Sequence, residues 1–287
     1  MKRLSGLCCA LLALLLAGCA FSPQEQSRLA QPRAKALVTV RAERPVVGLV
    51  LGAGGTRGFA HIGVLKVLEA EGIVPDVVVG VSSGAVAAAL YAGGYNAQAM
   101  EAIAAGLDDY DLIDLTLFGP GRVEGARLQD FVNDKLRYRS IEALNKPFVV
   151  IAAENGSRRR VVFNHGNTGL AVRASAAVPG VFWPVLIGGV EYIDGGVNGR
   201  VPAPVAREMG ADVVIAVDVS RGGGSADALS ADVLIRPDVS RTRMLDFSAK
   251  DQSIAAGEAA ARAAMPAIRA RIAEAETAKR SLVGALR

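Results

Sequence analysis

The sequence predicts an α/β fold in which a mostly parallel central sheet is covered by helices on both faces. Short apolar runs alternate along the chain with segments whose apolar residues recur at helical spacing. The first two runs, residues 46–51 and 77–80, are almost continuously apolar, which is typical of strands buried on both faces. Apolar residues make up 51% of the 287 residues, enough for a large core. Strands that alternate with helices in this way favour a parallel sheet.

The N-terminal segment has the features of a targeting sequence. Lys2 and Arg3 precede a leucine-rich stretch, residues 4–17, which is shorter than the roughly 20 residues that span a bilayer as a helix. The stretch ends in Leu-Ala-Gly-Cys at residues 16–19, which resembles the bacterial lipobox. In that motif cleavage precedes the cysteine, which is then lipidated.

We therefore expect a signal peptide over residues 1–18, lipidation at Cys19 and a flexible, lipid-anchored tether over residues 19–44. The residue after the cysteine is Ala20 and not aspartate. In the Gram-negative lipoprotein pattern, the absence of aspartate at this position indicates the outer membrane, facing the periplasm. An ordinary secretory signal with an incidental cysteine is the alternative.

Composition excludes several classes of function. Aromatic residues make up only 5%, which argues against a protein that stacks nucleic-acid bases. The formal charge of +4 falls to +2 once Lys2 and Arg3 are removed, so it gives no reason to expect a polyanionic partner. Cys8 and Cys9 lie in the removed segment, which leaves Cys19 as the only cysteine. We expect no disulfide, no metal site and no cofactor.

Residues 45–240 are predicted to form the α/β domain, and residues 241–287 a C-terminal helical extension. Apolar runs predict strands, and 3.6-residue periodicity predicts helices. Asn96 is expected to cap the start of one helix, and Gly93-Gly94 to end the helix before it. Strands are expected at residues 46–51, 77–80, 147–153, 159–163, 190–193 and 213–217. Helices are expected at residues 58–70, 83–92, 96–105, 127–136, 167–176 and 204–209, followed by an alanine-rich helix over 241–278 that Pro266 interrupts.

Ser82 lies at the apex of a sharp turn between a predicted strand and a predicted helix. It is the centre of Gly-Val-Ser-Ser-Gly, in which Gly80 and Gly84 leave room for the turn. The free N–H groups and the dipole of the following helix favour negative charge beside the serine. This context predicts a nucleophile. A Gly/Ser turn that merely joins two elements is the alternative.

The first strand ends in a glycine-rich turn, Gly-Ala-Gly-Gly-Thr-Arg-Gly at residues 52–58, whose N–H groups suit an anion. A dinucleotide pyrophosphate would need glycine where the chain has Arg57, and no Gly-Lys-Ser/Thr follows to form a Walker loop. The oxyanion of an acyl-transfer intermediate fits better, because it needs two donors near a nucleophile and Ser82 follows. A tight turn without a ligand is the alternative.

A nucleophilic serine needs a base, and the two histidines of the chain fit that role poorly. No histidine follows His165, whereas α/β-hydrolases have the order serine, acid, histidine. His61 lies in a helix at a core or cap position, and His165 lies in a loop. Asp194, in Asp-Gly-Gly after a short strand, can accept a hydroxyl proton directly. Alone, Asp-Gly-Gly is a common turn.

Together, the three motifs resemble those of the patatin-like phospholipases, in particular the short bacterial branch. The resemblance implies that Ser82 is the nucleophile and Asp194 the base of a Ser–Asp dyad. It also implies that Gly54 and Gly55 supply the oxyanion donors, with Arg57 beside them. The remaining motif positions are Gly52, Gly58, Gly80, Gly84, Gly195 and Gly196. Residues 173–182 match the segment that the family carries before its catalytic aspartate, and Ala53 replaces a glycine of many members.

The resemblance implies a serine ester hydrolase of lipid carboxylic esters, of the EC 3.1.1 type, which works through an acyl-enzyme at a bacterial membrane surface. The substrate would be a membrane phospholipid or another lipid ester, and no nucleic-acid partner is expected. Acyl transfer to an acceptor other than water and a catalytically idle lipid-binding protein of the same fold are the alternatives. Residues 108–121 are a lid, a wall for an acyl chain, or plain core.

Overall fold

The computed structural model describes residues 29–116, 119–221 and 225–285, without the side chains of residues 109, 110 and 282–285. The predicted signal peptide, the lipidation site Cys19 and the first part of the predicted tether lie outside the described residues.

Eight strands form one mixed sheet. The strands are β1 Val47–Leu51, β2 Val77–Val81, β3 Phe148–Glu154, β4 Arg160–Phe163, β5 Val185–Ile187, β6 Val190–Asp194, β7 Val213–Val217 and β8 Val233–Ile235. Their order is β5-β6-β3-β2-β1-β7-β8, with β4 paired to β3 in addition. The pairs β2–β3, β1–β2, β1–β7 and β7–β8 are parallel, whereas β3–β4, β3–β6 and β5–β6 are antiparallel. The predicted fold class is confirmed.

One edge of β3 serves two other strands in succession. Ile151 of β3 pairs with Val81 of β2, and the next residue, Ala152, pairs with Asp194 of β6. Since Ile151 and Ala152 also pair with β4, that strand occupies the opposite edge. The end of β2 and the end of β6 therefore meet on the same side of β3.

The helices are α1 Ala60–Ala70, α2 Ser83–Ala92, α3 Ala97–Ala105, α4 Asp109–Leu112, α5 Ala126–Lys135, α6 Thr168–Ser175, α7 Ala203–Glu208, α8 Ala226–Leu229 and α9 Lys250–Ala285. Short 3₁₀ turns lie at Gly55–Phe59, Ile141–Ala143, Gly195–Asn198 and Phe247–Ala249. As the sequence predicts, Asn96 caps α3, and its side chain accepts a hydrogen bond from the Ala99 amide at 2.8 Å.

Alternate residues of the central strands face opposite sides of the sheet, and each side is packed with apolar groups. Leu49 and Leu51 point into the larger core, which α1, α2, α6 and α9 cover. Val50 points into the smaller core, which α7 covers. Both faces are therefore buried, which explains why the strand sequences are apolar without alternation.

Two details of the last predicted helix were wrong. Helix α9 begins at Lys250 rather than residue 241, and it runs through Pro266 without interruption. A proline inside a helix removes one backbone hydrogen bond and crowds the preceding turn. Here Met265 and Ile268, on either side of it, are buried in the larger core, and this packing holds the helix together.

Helix α9 crosses α1 at two glycines. A Cβ on Gly63 would overlap the carbonyl oxygen of Ile254, and a Cβ on Gly257 would overlap that of Ala60. The two backbones are in direct contact, so the crossing leaves no space for a methyl group.

We predict that Gly63→Ala lowers the free energy of unfolding by about 1–3 kcal/mol, even though alanine is the better helix former. Urea denaturation measures the change. Gly156→Ala is the matched control, because a Cβ there meets no atom within 4 Å, and we expect it to be neutral. Equal stability of the two variants would show that the α1–α9 crossing is loosely packed.

Candidate active site

Ser82 joins β2 directly to α2 in a strained conformation. Its backbone has φ 55° and ψ −126°, a region that non-glycine residues rarely adopt. Its side chain is almost fully buried, with 5% of the residue exposed. Such conformations persist only where the surrounding structure fixes them, and they cluster at functional sites. The elbow predicted from the sequence is present.

The six motif glycines lie where a side chain would collide with neighbouring atoms. A Cβ would meet the Val217 carbonyl at Gly52, the Ser83 hydroxyl at Gly58, the Ala85 Cα at Gly80, the Leu51 carbonyl at Gly84, the Ile151 carbonyl at Gly195 and the Asp194 carboxylate at Gly196. The Gly58–Ser83 contact places the glycine-rich turn against the elbow, and Gly196, which also faces the Ala53 Cβ, places the Asp-Gly-Gly turn against the glycine-rich turn.

Asp194, at the end of β6, lies beside Ser82. The carboxylate is buried and accepts a hydrogen bond from the Gly196 amide at 2.7 Å, and the Ser82 side chain lies close enough to favour its ionised form. Burial raises the pKa of Asp194 to about 6, against the opposing effects of the Ser82 side chain, the Gly196 amide and the Arg200 charge. Asp194 is therefore ionised at neutral pH and is a stronger base than an exposed aspartate.

The glycine-rich turn presents two amides that have no acceptor among the described residues. The amides of Gly52, Ala53 and Thr56 donate to the carbonyls of Val217, Arg200 and Met244 at 2.9–3.0 Å. Within the part of the chain that the structure describes, the amides of Gly54 and Gly55 have no such acceptor. Because the amide of Ala53 is already bonded, its methyl group takes no donor from the site.

Arg57 and His61 fix the orientation of peptides in this turn. The Arg57 Nε donates to the Gly54 carbonyl at 2.8 Å, and His61 Nε2 lies 2.9 Å from the Gly52 carbonyl. In a trans peptide the C=O and N–H groups point in opposite directions. Arg57 therefore orients the N–H of Gly55. His61 orients the peptide between Gly52 and Ala53, whose N–H donates to the Arg200 carbonyl. Burial, then the charges of Arg221 and Arg200, lower the pKa of Arg57.

The histidines are not placed as bases for Ser82. His61 is fully buried, and burial lowers its pKa to about 4, so the ring is neutral. His165 lies beside the Asn164 side chain, with Nδ1 2.9 Å from its Oδ1. Among the described residues, neither ring hydrogen-bonds Ser82.

An apolar cavity of about 150 Å³ opens at Ser82 and Gly55. Helices α2, α3 and α5 supply Leu90, Met100 and Phe131, and the segment after α6 supplies Val181 and Phe182. The lining offers almost no hydrogen-bonding groups beyond those of the elbow and the glycine-rich turn. The cavity is thus suited to a hydrocarbon chain.

Part of segment 108–121 belongs to the wall of this cavity. Leu112 and Ile113 line it, whereas Leu115 is 72% exposed. Leu117 and Phe118 lie outside the described residues. Of the three interpretations left open by the sequence, a wall for an acyl chain is the one that these contacts favour.

Sequence reasoning assigned no role to Ser175, which the structure places in contact with the elbow. Ser175 is fully buried at the end of α6. Its hydroxyl accepts a hydrogen bond from the Ser82 amide at 2.8 Å and donates one to the Ile151 carbonyl at 2.5 Å. The only sequence signal was its position in the family-like segment 173–182.

In residues 29–116, 119–221 and 225–285, no three His, Cys, Asp or Glu side chains converge as a metal site would require. The same residues contain no helix with the length and apolar character needed to cross a bilayer.

Comparison with known proteins gives matches over most of the chain. The sequence profile of the family described as patatin-like phospholipase matches residues 49–207. An uncharacterized NTE family protein of Mycobacterium tuberculosis, Rv1063c, is 32% identical over 237 residues, covering 76% of this chain and 62% of the relative. The mouse patatin-like phospholipase domain-containing protein 7 is 34% identical over 181 residues, covering 60% of this chain and 13% of the relative. The chain thus spans about three-fifths of the mycobacterial relative.

Among solved structures, VipD from Legionella pneumophila superimposes with a TM-score of 0.56 at 12% identity, covering 85% of this chain and 71% of VipD. At that identity the likeness shows a shared fold.

Proposed function

The chain belongs to the patatin-like phospholipase family, and we propose that it is a lipid acyl hydrolase that cleaves carboxylic esters through an acyl-enzyme on Ser82. The observation that carries the proposal is the strained, buried Ser82 beside the buried Asp194 carboxylate at the opening of an apolar cavity. The cavity accepts the acyl chain, and the free amides of Gly54 and Gly55 donate hydrogen bonds to the developing oxyanion.

In the proposed reaction, Asp194 takes the proton of Ser82 while Oγ attacks the ester carbonyl. The tetrahedral intermediate collapses, and Asp194 returns the proton to the leaving alcohol. Water then attacks the acyl-enzyme, Asp194 accepts its proton, and Ser82 regains a proton as the fatty acid leaves. A pKa of about 6 leaves the carboxylate ionised at neutral pH and able to take the proton at each attack.

We further propose that the enzyme works at a membrane surface. Met244 and Leu245 line the cavity and are also exposed, at 39% and 45%, so they lie at its mouth. The exposed Arg241 and Arg243 precede them. The loop is bonded to the glycine-rich turn, because the Thr56 amide donates to Met244 and its hydroxyl to Arg243. Apolar groups flanked by cations suit a lipid interface.

Ser82→Ala and Asp194→Asn should each lower kcat for a short-chain p-nitrophenyl ester by at least a thousandfold, because one removes the nucleophile and the other the base. The double variant His61→Gln, His165→Gln is the control. Corrected for folded fraction, it should stay within about tenfold of wild type, or ~1.4 kcal/mol in the barrier. An inactive double variant together with an active Asp194→Asn would show that a histidine, and not Asp194, is the base.

The pH dependence should follow Asp194. Its pKa is raised to about 6, and the base must be ionised, so activity is lost as pH falls through that value. We expect kcat/KM to fall about tenfold per pH unit below 6 and to be level from 7 to 8. Initial rates on a neutral ester measure this. An acidic limb centred at pH 4 would mean that Asp194 behaves as an exposed carboxyl.

We also propose lipid anchoring through Cys19 in the bacterial envelope, at the outer membrane facing the periplasm. Wild type expressed in a Gram-negative host should incorporate labelled palmitate and sediment with the membrane fraction, and Cys19→Ala should do neither. Unlabelled wild type would exclude lipidation at Cys19 and leave the proposed esterase activity unaffected.

A further inference from the structure

The hydroxyl of Ser175 occupies a place where the sheet would otherwise have a backbone hydrogen bond. In a parallel ladder, alternate residues of one strand bond to the neighbouring strand. Val78 of β2 pairs with Phe148 of β3, and its amide donates to the Pro147 carbonyl at 3.0 Å. If every second residue of β2 continued to donate in this way, the amide of Ser82 would donate to the carbonyl of Ile151.

The Ser82 amide donates to Ser175 Oγ at 2.8 Å instead, and that hydroxyl donates to the Ile151 carbonyl at 2.5 Å. A direct ladder bond would join the same two groups at about 2.9 Å. Two hydrogen bonds in series hold them further apart. The hydroxyl thus separates β2 from β3 at the elbow while keeping both backbone groups bonded.

This separation falls where β3 changes partner. Ile151 is the last residue of β3 that pairs with β2, and Ala152 pairs with Asp194 of β6. The Asp194 amide, in turn, donates to the carbonyl of Ala177 at 2.9 Å. Residues 175–177 therefore hold the backbone of both Ser82 and Asp194, one through a side chain and the other through a carbonyl.

We propose that Ser175 is a positioning residue that sets the Ser82 hydroxyl opposite the Asp194 carboxylate. The proposal rests on the proposed function of that pair. Without the bridging hydroxyl, the Ser82 amide has either no acceptor or a direct bond to Ile151, which draws the elbow towards β3. In both cases the strained φ of Ser82 loses the contact that fixes it.

The test compares Ser175→Ala with wild type on a soluble p-nitrophenyl ester, with kcat and KM measured separately. We expect kcat to fall about 10- to 100-fold, since a displacement of about 1 Å has that effect. We expect KM within threefold, because Ser175 does not line the cavity. Ser175→Thr, which keeps the hydroxyl, should recover most of the loss.

Ser253→Ala is the matched control, since Ser253 is equally buried and its hydroxyl lies 3.3 Å from that of Thr242. It should leave kcat within twofold of wild type. If Ser175→Ala does not fold, Ser175→Cys keeps nearly the same volume with a weaker donor and acceptor, and the same fall in kcat is expected.

Three results would overturn the proposal. Wild type that neither turns over the ester nor labels at Ser82 with a fluorophosphonate overturns the proposed function and the role of Ser175 with it. Active wild type with kcat of the Ala or Cys variant within threefold overturns the positioning role alone. A raised KM with unchanged kcat does the same, because it would place Ser175 in substrate binding.

Discussion

The shared edge of β3 is the constraint on which the site depends. A strand has one ladder on each edge, and β4 occupies the other edge of β3, so β2 and β6 divide the remaining one between them. Where β2 leaves the edge of β3, the chain turns through the strained Ser82. Strand β6 ends at Asp194 on the same edge. Nucleophile and carboxylate, far apart in sequence, are neighbours because Val81, which precedes Ser82, and Asp194 itself pair with the consecutive residues Ile151 and Ala152 of β3.

The glycine-rich turn meets the elbow under a related constraint. The buried Arg57 holds the Gly54 carbonyl, so the Gly55 amide on the other side of the same peptide is fixed before any ligand arrives. Donors held in advance lose no freedom when charge develops, which is the basis of electrostatic stabilisation in an acyl-transfer site. His61 holds the neighbouring Gly52 peptide, whose amide partner is Arg200, as a neutral hydrogen-bonding group, and its lowered pKa agrees with that structural role.

Features set by local sterics were accessible from the sequence. Gly80 and Gly84 mark the elbow because nothing larger fits there, and Asn96 marks a helix start because its side chain bonds the backbone three residues on. Features set by distant contacts were not. Asp194 was a candidate from its position in a turn after a short strand, but Asp-Gly-Gly is a common turn, and the role of base in a dyad came from the resemblance, since its partner is in another strand. Pro266 misled because the packing that outweighs it comes from α1 and the core.

The low basicity of aspartate is offset by the fold. Raising the pKa of Asp194 from 3.8 to about 6 corresponds to roughly 3 kcal/mol against the buried, ionised form. That cost already includes the stabilising Gly196 amide on the carboxylate. The native state bears it together with the strain at Ser82, and the Ser175 hydroxyl on the elbow and the two apolar cores around the sheet offset both. A carboxylate destabilised in this way favours proton uptake, and the adjacent Ser82 hydroxyl is the group from which the proton comes.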